Sequence, residues 1–223
     1  MSEGLSEGRD KRRRSSYLCC MTRARTYAPA YDRDAALDAA VTLFWRKGYH
    51  ATSLKDLEAA LKMKPGSIYA AFKSKEALYL SALERYFERN RAGLGALRTR
   101  SGSPLSALAD FLRAFGEPQA DAPACRACML IKTLLDVTEE DSAIGARARD
   151  YLNRMTEEIT ALFAAAQAAG EISAQADIAR LARRYQADMT ALRIEAHRRG
   201  DPAQLAMLAE DMARDVEALR QVN

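Results

Sequence analysis

Apolar residues recur every three or four positions along most of this chain, and this spacing restricts the fold to helices. Leu37, Ala40, Val41 and Phe44, for example, share one face of a helix. Alanine is abundant and β-branched residues are scarce, which also favours helices over strands. No segment carries the strict alternation of a strand. The sequence therefore predicts an all-α fold with about nine helices.

Capping residues mark the ends of the first helices. The first helix begins near Asp32 and ends at Gly48, a common residue at helix C-termini. Thr52 and Ser53 are candidates for the N-cap of a short second helix, which ends at residue 60 or 61. Pro65 lies just inside the start of a third short helix, where its missing N–H costs nothing.

The remaining helices are longer and are separated by loops rich in Ser, Gly and Pro. The third helix ends near Phe72, and Ser74 caps a long fourth helix. Further helices are predicted from the apolar spacing over residues 105–115, from near Ala124, over 142–169 and 177–198, and from Pro202 nearly to the C-terminus.

Charge is distributed unevenly along the 223 residues. The chain has 34 Lys and Arg against 30 Asp and Glu, but the first hundred residues carry a balance of +9 and the rest −5. Residues 1–26 supply +4 of this as a basic tail that lacks helical periodicity, and Met21 would serve equally well as a start of translation. A basic tail beside a neutral protein is the simpler explanation. Residues 27–100 still carry +5, however, which indicates a polyanionic partner.

Composition also limits the location. The sequence contains no run of about 18 apolar residues, the length needed to cross a membrane. No apolar segment follows the basic N-terminus as it would in a secretory signal. Four cysteines, Cys19, Cys20, Cys125 and Cys128, are too few for a disulfide framework in a chain of this length. We therefore expect a cytoplasmic protein without membrane partners.

The second and third helices have the arrangement of a helix-turn-helix, with two short helices joined by a tight turn. Ile68 and Phe72 are one turn apart and are expected to face the preceding helix. Gly66 and Ser67 leave room for close approach of another backbone, and Lys64, Tyr69 and Lys73 point outward. This pattern predicts a helix that enters the major groove of DNA. The alternative is a small helical packing module with a solvated basic face.

Residues 44–57 and 66–78 closely resemble the tetracycline-repressor (TetR/AcrR) family of bacterial regulators, and the likeness covers roughly residues 32–80. It implies a DNA-binding domain over 27–76 and a helical effector-binding and dimerisation domain over 77–223. In this family the residues corresponding to 53–72 form the helix-turn-helix. The resemblance and the pattern together assign DNA contacts to Thr52, Ser53, Lys64, Pro65, Gly66, Ser67, Tyr69, Lys73 and Lys75.

Two positions depart from the family pattern. Lys62 stands in the turn, where the family usually has glycine, and Lys64 stands where Ser or Thr often caps the recognition helix. A lysine at positive φ costs energy relative to glycine, so we expect a differently shaped turn. Both lysines add positive charge near the groove, which favours non-specific binding to DNA.

Cys125 and Cys128 are spaced so that one helix would carry both on the same face. A single C-x-x-C without a second pair or a nearby histidine is weak evidence for zinc, so no metal site is predicted. The simplest interpretation is that these cysteines pack in the core or line a pocket. A thiol sensor that responds to oxidants or electrophiles is the alternative.

The last two predicted helices each carry an apolar seam. Such seams usually pack within one chain, but in TetR-like proteins the corresponding helices form a four-helix dimer interface. The resemblance therefore implies a homodimer that binds a palindromic operator. The residues assigned to this interface are Leu181, Tyr185, Met189, Leu205, Leu208, Met212 and Val216.

An effector pocket is expected between the middle helices, although most large apolar residues there are ordinary core residues. The residues assigned to it are Phe111, Phe115, Cys128, Met129, Lys132, Thr133, Tyr151 and Met155. Lys132 and Arg154 are the polar anchors of this prediction, which favours a lipophilic or weakly anionic effector.

The functional prediction is a DNA-binding transcription regulator, a repressor that a small-molecule effector releases from its operator. No phosphate-binding loop, metal-ligand cluster or nucleophile–base arrangement occurs, so neither catalysis nor a cofactor is expected. Two alternatives remain: a regulator of the same fold triggered through Cys125 or Cys128, and a helical binding protein or enzyme that has lost DNA binding.

Overall fold

The computed structural model describes residues 32–100, 102–117, 127–198 and 200–221, without the side chains of 98–100. This part of the chain contains nine α-helices and no strand, which confirms the predicted class. The helices are α1 (Arg33–Lys47), α2 (Leu54–Leu61), α3 (Pro65–Phe72), α4 (Lys75–Arg100), α5 (Pro104–Arg113), α6 (Met129–Asp136), α7 (Ser142–Ala168), α8 (Ile178–Arg198) and α9 (Pro202–Glu217).

Side-chain caps begin the helices where the sequence places them. The Ser53 hydroxyl accepts a bond from the Asp56 N–H, and the Asp56 carboxylate accepts one from the Ser53 N–H, so α2 starts with a complete capping box. Ser74 accepts a bond from the Ala77 N–H at the start of α4. These local bonds satisfy backbone donors that a helix leaves unpaired, and they make the boundaries readable from sequence.

One predicted boundary needs correction. A helix was expected to begin near Ala124, which lies outside the described residues, but helix α6 begins only at Met129. Cys128 is its N-cap residue and makes no side-chain cap bond. Cys128 is therefore not inside a helix, so the geometry expected for a helical C-x-x-C pair does not apply to it. Cys125, Cys19, Cys20 and the basic tail over 1–26 lie outside the described residues.

Helices α1 to α4 share a core near the N-terminal end of the molecule. Phe44 of α1 meets Tyr79 of α4 edge-on, with ring centroids 4.8 Å apart. Ile68 and Phe72 are buried, as predicted, and so is Leu57 of α2. Burial of these side chains fixes α3 by one face and leaves its other face outside the core.

The later helices pack on the remainder of α4. Helix α7 lies against α4, α6 and α8, and α5 lies against α9. Phe87 of α4 stacks on Tyr151 of α7 with centroids 4.5 Å apart. Tyr185 of α8 donates its hydroxyl to the Leu108 carbonyl of α5 at 2.8 Å. The buried ring and its satisfied hydroxyl hold α5 and α8 together.

Candidate nucleic-acid interface

Helix α3 presents a small, polar and basic surface. Gly66, Ser67 and Tyr69 are exposed, and so are Lys64 before the helix and Lys73 after it. The Tyr69 side chain is 45% exposed, so its large ring and its hydroxyl are available for contact with a partner. The helix itself contains no acidic residue. An exposed short helix with a lysine at each end suits the phosphates that flank a DNA groove.

The backbone at the start of α3 is open to the outside at Gly66. A Cβ atom built on Gly66 would meet no other atom within 4 Å, so the fold itself does not require glycine there. Pro65 occupies the first turn and Lys64 caps the helix without a side-chain hydrogen bond. The free space at Gly66 therefore allows close approach by an outside molecule.

Two lysines of the described residues have positive φ: Lys62 lies in the turn between α2 and α3, and Lys73 directly follows α3. Lys62 has a φ of 54° and forms the left-handed C-cap of α2, so the expectation of a differently shaped turn was wrong: the lysine adopts the conformation that favours glycine. Lys73 has a φ of 69° at the end of α3, which the sequence did not predict. Each conformation strains a side chain with a Cβ. Both lysines are exposed, so the strain places positive charge at the two ends of the helix.

The two residues before α2 differ in what they can contact. Thr52 is buried, with 1% of its surface exposed, and donates its hydroxyl to the Gly48 carbonyl at 2.6 Å. Ser53 is exposed, and its hydroxyl donates to Asp56 at 2.7 Å. The pKa of Asp56 is lowered chiefly by a hydrogen bond from Lys47 and further by hydrogen bonds from Ser53. Thr52 thus shapes the turn, whereas Ser53 lies at the surface.

Lys75 is half-buried at the first position of α4, and its ammonium lies 4.5 Å from the centre of the Tyr49 ring. Burial lowers the pKa of Lys75, and the carboxylates of Asp136 and Asp141 act in the opposite direction. The sequence placed Lys75 on a phosphate, but it did not reveal the aromatic contact or these two acids.

A set of hydrogen bonds, which we call the α1–α6 junction, joins the end of α1 to α6 and the residues flanking it. The Trp45 indole donates to the Ala127 carbonyl at 2.6 Å, and the Lys132 ammonium donates to the Trp45 carbonyl at 2.8 Å. The Asp136 carboxylate accepts from the Tyr49 N–H at 3.2 Å. A cation at the C-terminal end of a helix is favoured by the helix dipole, so Lys132 stabilises the end of α1.

The junction continues through a side-chain hydrogen bond and borders an open space. His50 and Asp141 meet at 2.7 Å. A cavity of about 280 Å³ lies between α1 and α6, lined in part by Met129, Lys132 and Leu135. Sequence reasoning assigned Met129 and Lys132 to an effector pocket between the middle helices. No local signal could have revealed the junction, because its partners are more than 80 residues apart in sequence.

A second cavity lies between α4, α7 and α8 and the start of α6. Its volume is about 30 Å³, room for roughly one water molecule. Two of the predicted pocket residues, Cys128 and Met155, line it. The residues that line it and were not predicted are Tyr86, Asn90, Leu130, Leu152, Ile159, Gln186, Met189, Thr190 and Arg193.

The other predicted pocket residues lie nearby in different surroundings. Thr133 is buried and shares a 2.8 Å hydrogen bond with the Tyr79 hydroxyl. Tyr151 is covered by Phe87. Phe111 and Phe115 contact each other edge-on. Arg154, the second predicted anchor, is placed with its guanidinium over the Phe87 ring at 4.4 Å and is not among the residues that line the cavity.

The residues assigned to a dimer interface divide into two groups. Tyr185, Met189 and Val216 are buried within the subunit, and Met189 also lines the cavity between α4, α7 and α8. The remaining four are partly buried, and these are Leu181, Leu205, Leu208 and Met212. The large apolar residues that are exposed on α8 and α9 are instead Ile194, at 46%, and Met207, at 60%.

The described residues offer neither a helix for a membrane nor a group of side chains for a metal ion. None of the helices that the structure describes is long and apolar enough to cross a membrane. Over the same residues, no three His, Cys, Asp or Glu side chains are grouped so that they could hold a metal ion.

Comparison with known proteins identifies both halves of the chain. The sequence profile of bacterial regulatory proteins of the tetR family matches residues 36–82. The profile of the tetracyclin repressor-like C-terminal domain matches residues 104–212. Both matches fall on helices described above, and the first includes the whole of α2 and α3.

Relatives with known roles support the same assignment. The HTH-type transcriptional repressor ComR of Escherichia coli (strain K12) is 37% identical over 168 residues, which cover 73% of this chain and 78% of ComR. The negative transcriptional regulator IcaR of the biofilm operon icaADBC in Staphylococcus aureus (strain Newman) is 31% identical over 83 residues, 37% of this chain and 45% of IcaR.

A solved structure extends the comparison to three dimensions. A cysteine-substituted form of the TetR-family regulator CifR, complexed with 26-bp double-strand operator DNA, is similar with a TM-score of 0.76 and 27% identity. The match covers 84% of this chain and 97% of the CifR chain. The chain therefore belongs to the TetR family of bacterial transcription regulators, and it is a DNA-binding regulator, not an enzyme.

Proposed function

We propose that this protein is a homodimeric repressor that inserts α3 into the major groove of a palindromic operator and leaves it when a small effector binds. The carrying observation is the exposed face of α3, where Tyr69, Gly66 and two flanking lysines lie outside the core. Repression is supported by the printed roles of ComR and IcaR. DNA as the partner requires that the protein acts beside the chromosome, in the cytoplasm.

Within this interface the roles divide by chemistry. Gly66 and Ser67 lie where α3 would approach base edges, and Tyr69 would pack against the sugar-phosphate backbone. Lys64 and Lys73 would pair with phosphates and fix the register of the helix without reading sequence. Lys75 would reach a phosphate from the first turn of α4, with Tyr49 beneath it.

Fluorescence anisotropy with DNA from the promoter of its own gene tests the interface. Tyr69→Ala is expected to weaken binding by about tenfold because it removes a large exposed contact. Lys64→Ala is expected to weaken binding to all sequences and to reduce the salt slope by about one unit. Arg149→Ala, which removes an exposed charge from α7, is the matched control and should change neither quantity. Equal effects of Arg149→Ala and Lys64→Ala would refute the assignment.

The dimer is proposed to form through the outer faces of α8 and α9. Ile194 and Met207 are exposed apolar side chains on these helices, and a second copy would cover them. A closed, twofold symmetric pair also suits a palindromic site. Met207→Glu is expected to halve the mass measured by light scattering and to weaken operator binding. Leu135→Glu removes an exposed apolar residue of α6 and should leave the mass unchanged; dissociation by both variants would argue against α9.

Effector release is proposed to act through the cavity between α4, α7 and α8. In this conformation, which we call the closed state, the cavity has room for about one water molecule, so a larger ligand would require the surrounding helices to separate. The ligand then binds the state with separated helices and not the closed state. This difference in affinity shifts the protein toward the state with separated helices. Cys128 and Leu130 line the cavity and adjoin the α1–α6 junction, so movement there would reach α1.

The single tryptophan of the chain provides a test of this coupling. Trp45 is part of the α1–α6 junction, through the bond to the Ala127 carbonyl. A lipophilic compound that releases the operator is expected to change Trp45 emission at the same concentrations. Release without any change in Trp45 emission would show that the signal does not pass through this junction.

A thiol-triggered regulator is the second candidate, and the position of Cys128 favours it. Cys128 is partly exposed, lines the same cavity and neighbours Tyr86. Burial raises the pKa of the Tyr86 hydroxyl, and Cys128 acts in the same direction. A soft electrophile would form a bond to the Cys128 sulfur with loss of the thiol proton. Cys128→Ser should abolish operator release by an alkylating agent, whereas Cys125→Ser serves as the matched control.

A further inference from the structure

The cavity between α4, α7 and α8 contains a single charged group. Arg193 is the only ionised side chain among the residues that line it, and none of them is acidic. One wall is apolar and is formed by Leu152, Met155, Ile159 and Met189. A cation at the edge of an apolar space is costly unless an anion accompanies it.

The partners of Arg193 are neutral groups. Its guanidinium donates to the Tyr86 hydroxyl at 2.6 Å and to the Asn90 side-chain oxygen at 2.8 Å, and it lies 5.6 Å from the centre of the Phe115 ring. All three groups are neutral. Over the residues that the structure describes, Arg193 forms no ion pair with a carboxylate. A guanidinium has five N–H donors, so these bonds leave several of them available.

Comparable arginines of the same chain do have carboxylate partners. Arg85 and Arg113 are both half-buried. Arg85 pairs with Asp34 and Asp38, and Arg113 pairs with Glu210 and Glu217. The remaining polar side chains of the cavity are satisfied locally. Gln186 donates to the Leu152 carbonyl, and Thr190 donates to the Gln186 carbonyl. Among the residues that line the cavity, Arg193 is therefore the charged group whose partners are all neutral.

We propose that the effector is an amphiphilic carboxylate, with its anionic group on Arg193 and its apolar body between Met155, Met189 and Ile159. The planar guanidinium matches the two oxygens of a carboxylate, and methionines are adaptable enough to make room for an apolar body. This inference rests on the proposed release by a ligand in this cavity. It replaces Lys132 and Arg154, the anchors expected from sequence, with Arg193.

Octanoate is the probe, and octan-1-ol and octylamine are its neutral and cationic counterparts. Binding to the full chain is measured by calorimetry and by Trp45 emission, and operator release by anisotropy. Octanoate is expected to bind about tenfold or more tightly than octan-1-ol, since a hydrogen-bonded ion pair adds to the same apolar contact. Octylamine is expected to bind more weakly than either.

Two variants separate charge from packing. Arg193→Gln should weaken the binding of octanoate by about tenfold or more and change the affinity for octan-1-ol by less than about threefold. Arg154→Gln removes a comparable guanidinium from α7. Arg154 does not line the cavity, so this variant should change neither the affinity for octanoate nor that for octan-1-ol. Circular dichroism checks folding, and operator affinity without ligand is measured for every variant.

Three results would overturn the inference. Octan-1-ol could bind as tightly as octanoate, Arg193→Gln could leave the affinity for octanoate unchanged, or octanoate could fail to bind. In the first case, release of the operator by octan-1-ol would leave ligand control intact and reject only the anionic class. If neither compound nor any other lipophilic molecule releases the operator, ligand control itself fails. The two failures are thus distinguishable.

Discussion

At the scale of single residues, Gly66 separates stability from DNA binding. Its position in α3 is open, because an added Cβ would touch nothing within 4 Å. Gly66→Ala is therefore expected to stabilise the protein by about 0.5–1 kcal/mol, since alanine loses less backbone entropy in a helix. The same methyl group would meet the DNA and weaken operator binding.

Urea denaturation and anisotropy measure the two effects of Gly66→Ala. Gly93→Ala is the control, because an added Cβ there also meets nothing within 4 Å, but the residue lies in α4 outside the assigned DNA contacts. If Gly66→Ala binds the operator as tightly as the unchanged chain, then α3 does not approach DNA closely at this residue.

Lys62 offers a second test at this scale. Its φ of 54° strains a side chain with a Cβ, so Lys62→Gly should raise the free energy of unfolding by about 1 kcal/mol. Lys62→Ala removes the same charge but keeps the Cβ, and it should bring no such gain. Thermal denaturation of both variants distinguishes backbone strain from charge. Equal stabilisation by Gly and Ala would mean that charge repulsion, not φ, is relieved.

At the scale of helices, Arg113 connects α5 to α9. It donates to Glu210 at 2.7 Å and to Glu217 at 2.8 and 2.9 Å. These hydrogen bonds lower the pKa values of both carboxyls, and Arg113 is the first cause in each case. A lowered pKa in the folded state adds stability above the unfolded value of about 4.3, and this stability is lost as the pH falls through the folded pKa.

Urea midpoints measured from about pH 6 to about pH 3 test this connection. The midpoint should fall with pH, and Arg113→Met should lower it at the upper end and flatten the decline. Arg198→Met is the control, because Arg198 forms an exposed pair with Glu195 within α8 and such pairs contribute little. Parallel pH curves for Arg113→Met and the unchanged chain would contradict the prediction.

At the scale of the whole molecule, Gly48 lies at the α1–α6 junction. It has a φ of 86°, and a Cβ there would come within 2.8 Å of the Asp136 carboxylate, which accepts the Tyr49 N–H. Gly48→Ala is expected to cost about 1–3 kcal/mol, because it adds strain and disturbs this bond. The free energy of unfolding measures the loss. Gly102→Ala, in open space, should stay within about 0.5 kcal/mol, and equal effects would show that the junction tolerates a methyl group.

The assembled chain also shows why some predictions from sequence held and others did not. The helix-turn-helix was readable because Ser53, Pro65 and the spacing of Ile68 and Phe72 act within a few residues. The resemblance to the TetR family was carried by the same local stretch, and the matches over residues 36–82 and 104–212 confirm it. The division into domains at residues 76 and 77 and the individual DNA contacts stay predictions.

Local physics thus determined the helical class, most helix ends and the segment expected to meet DNA, because caps and apolar periodicity depend on neighbours along the chain. Only packing decided that Tyr185 turns into the subunit, that Lys132 bonds to α1, and that Arg193 lies beside Tyr86. These contacts join residues 77 to 107 positions apart, and the spacing within one helix carries no information about which distant helix its side chains will meet.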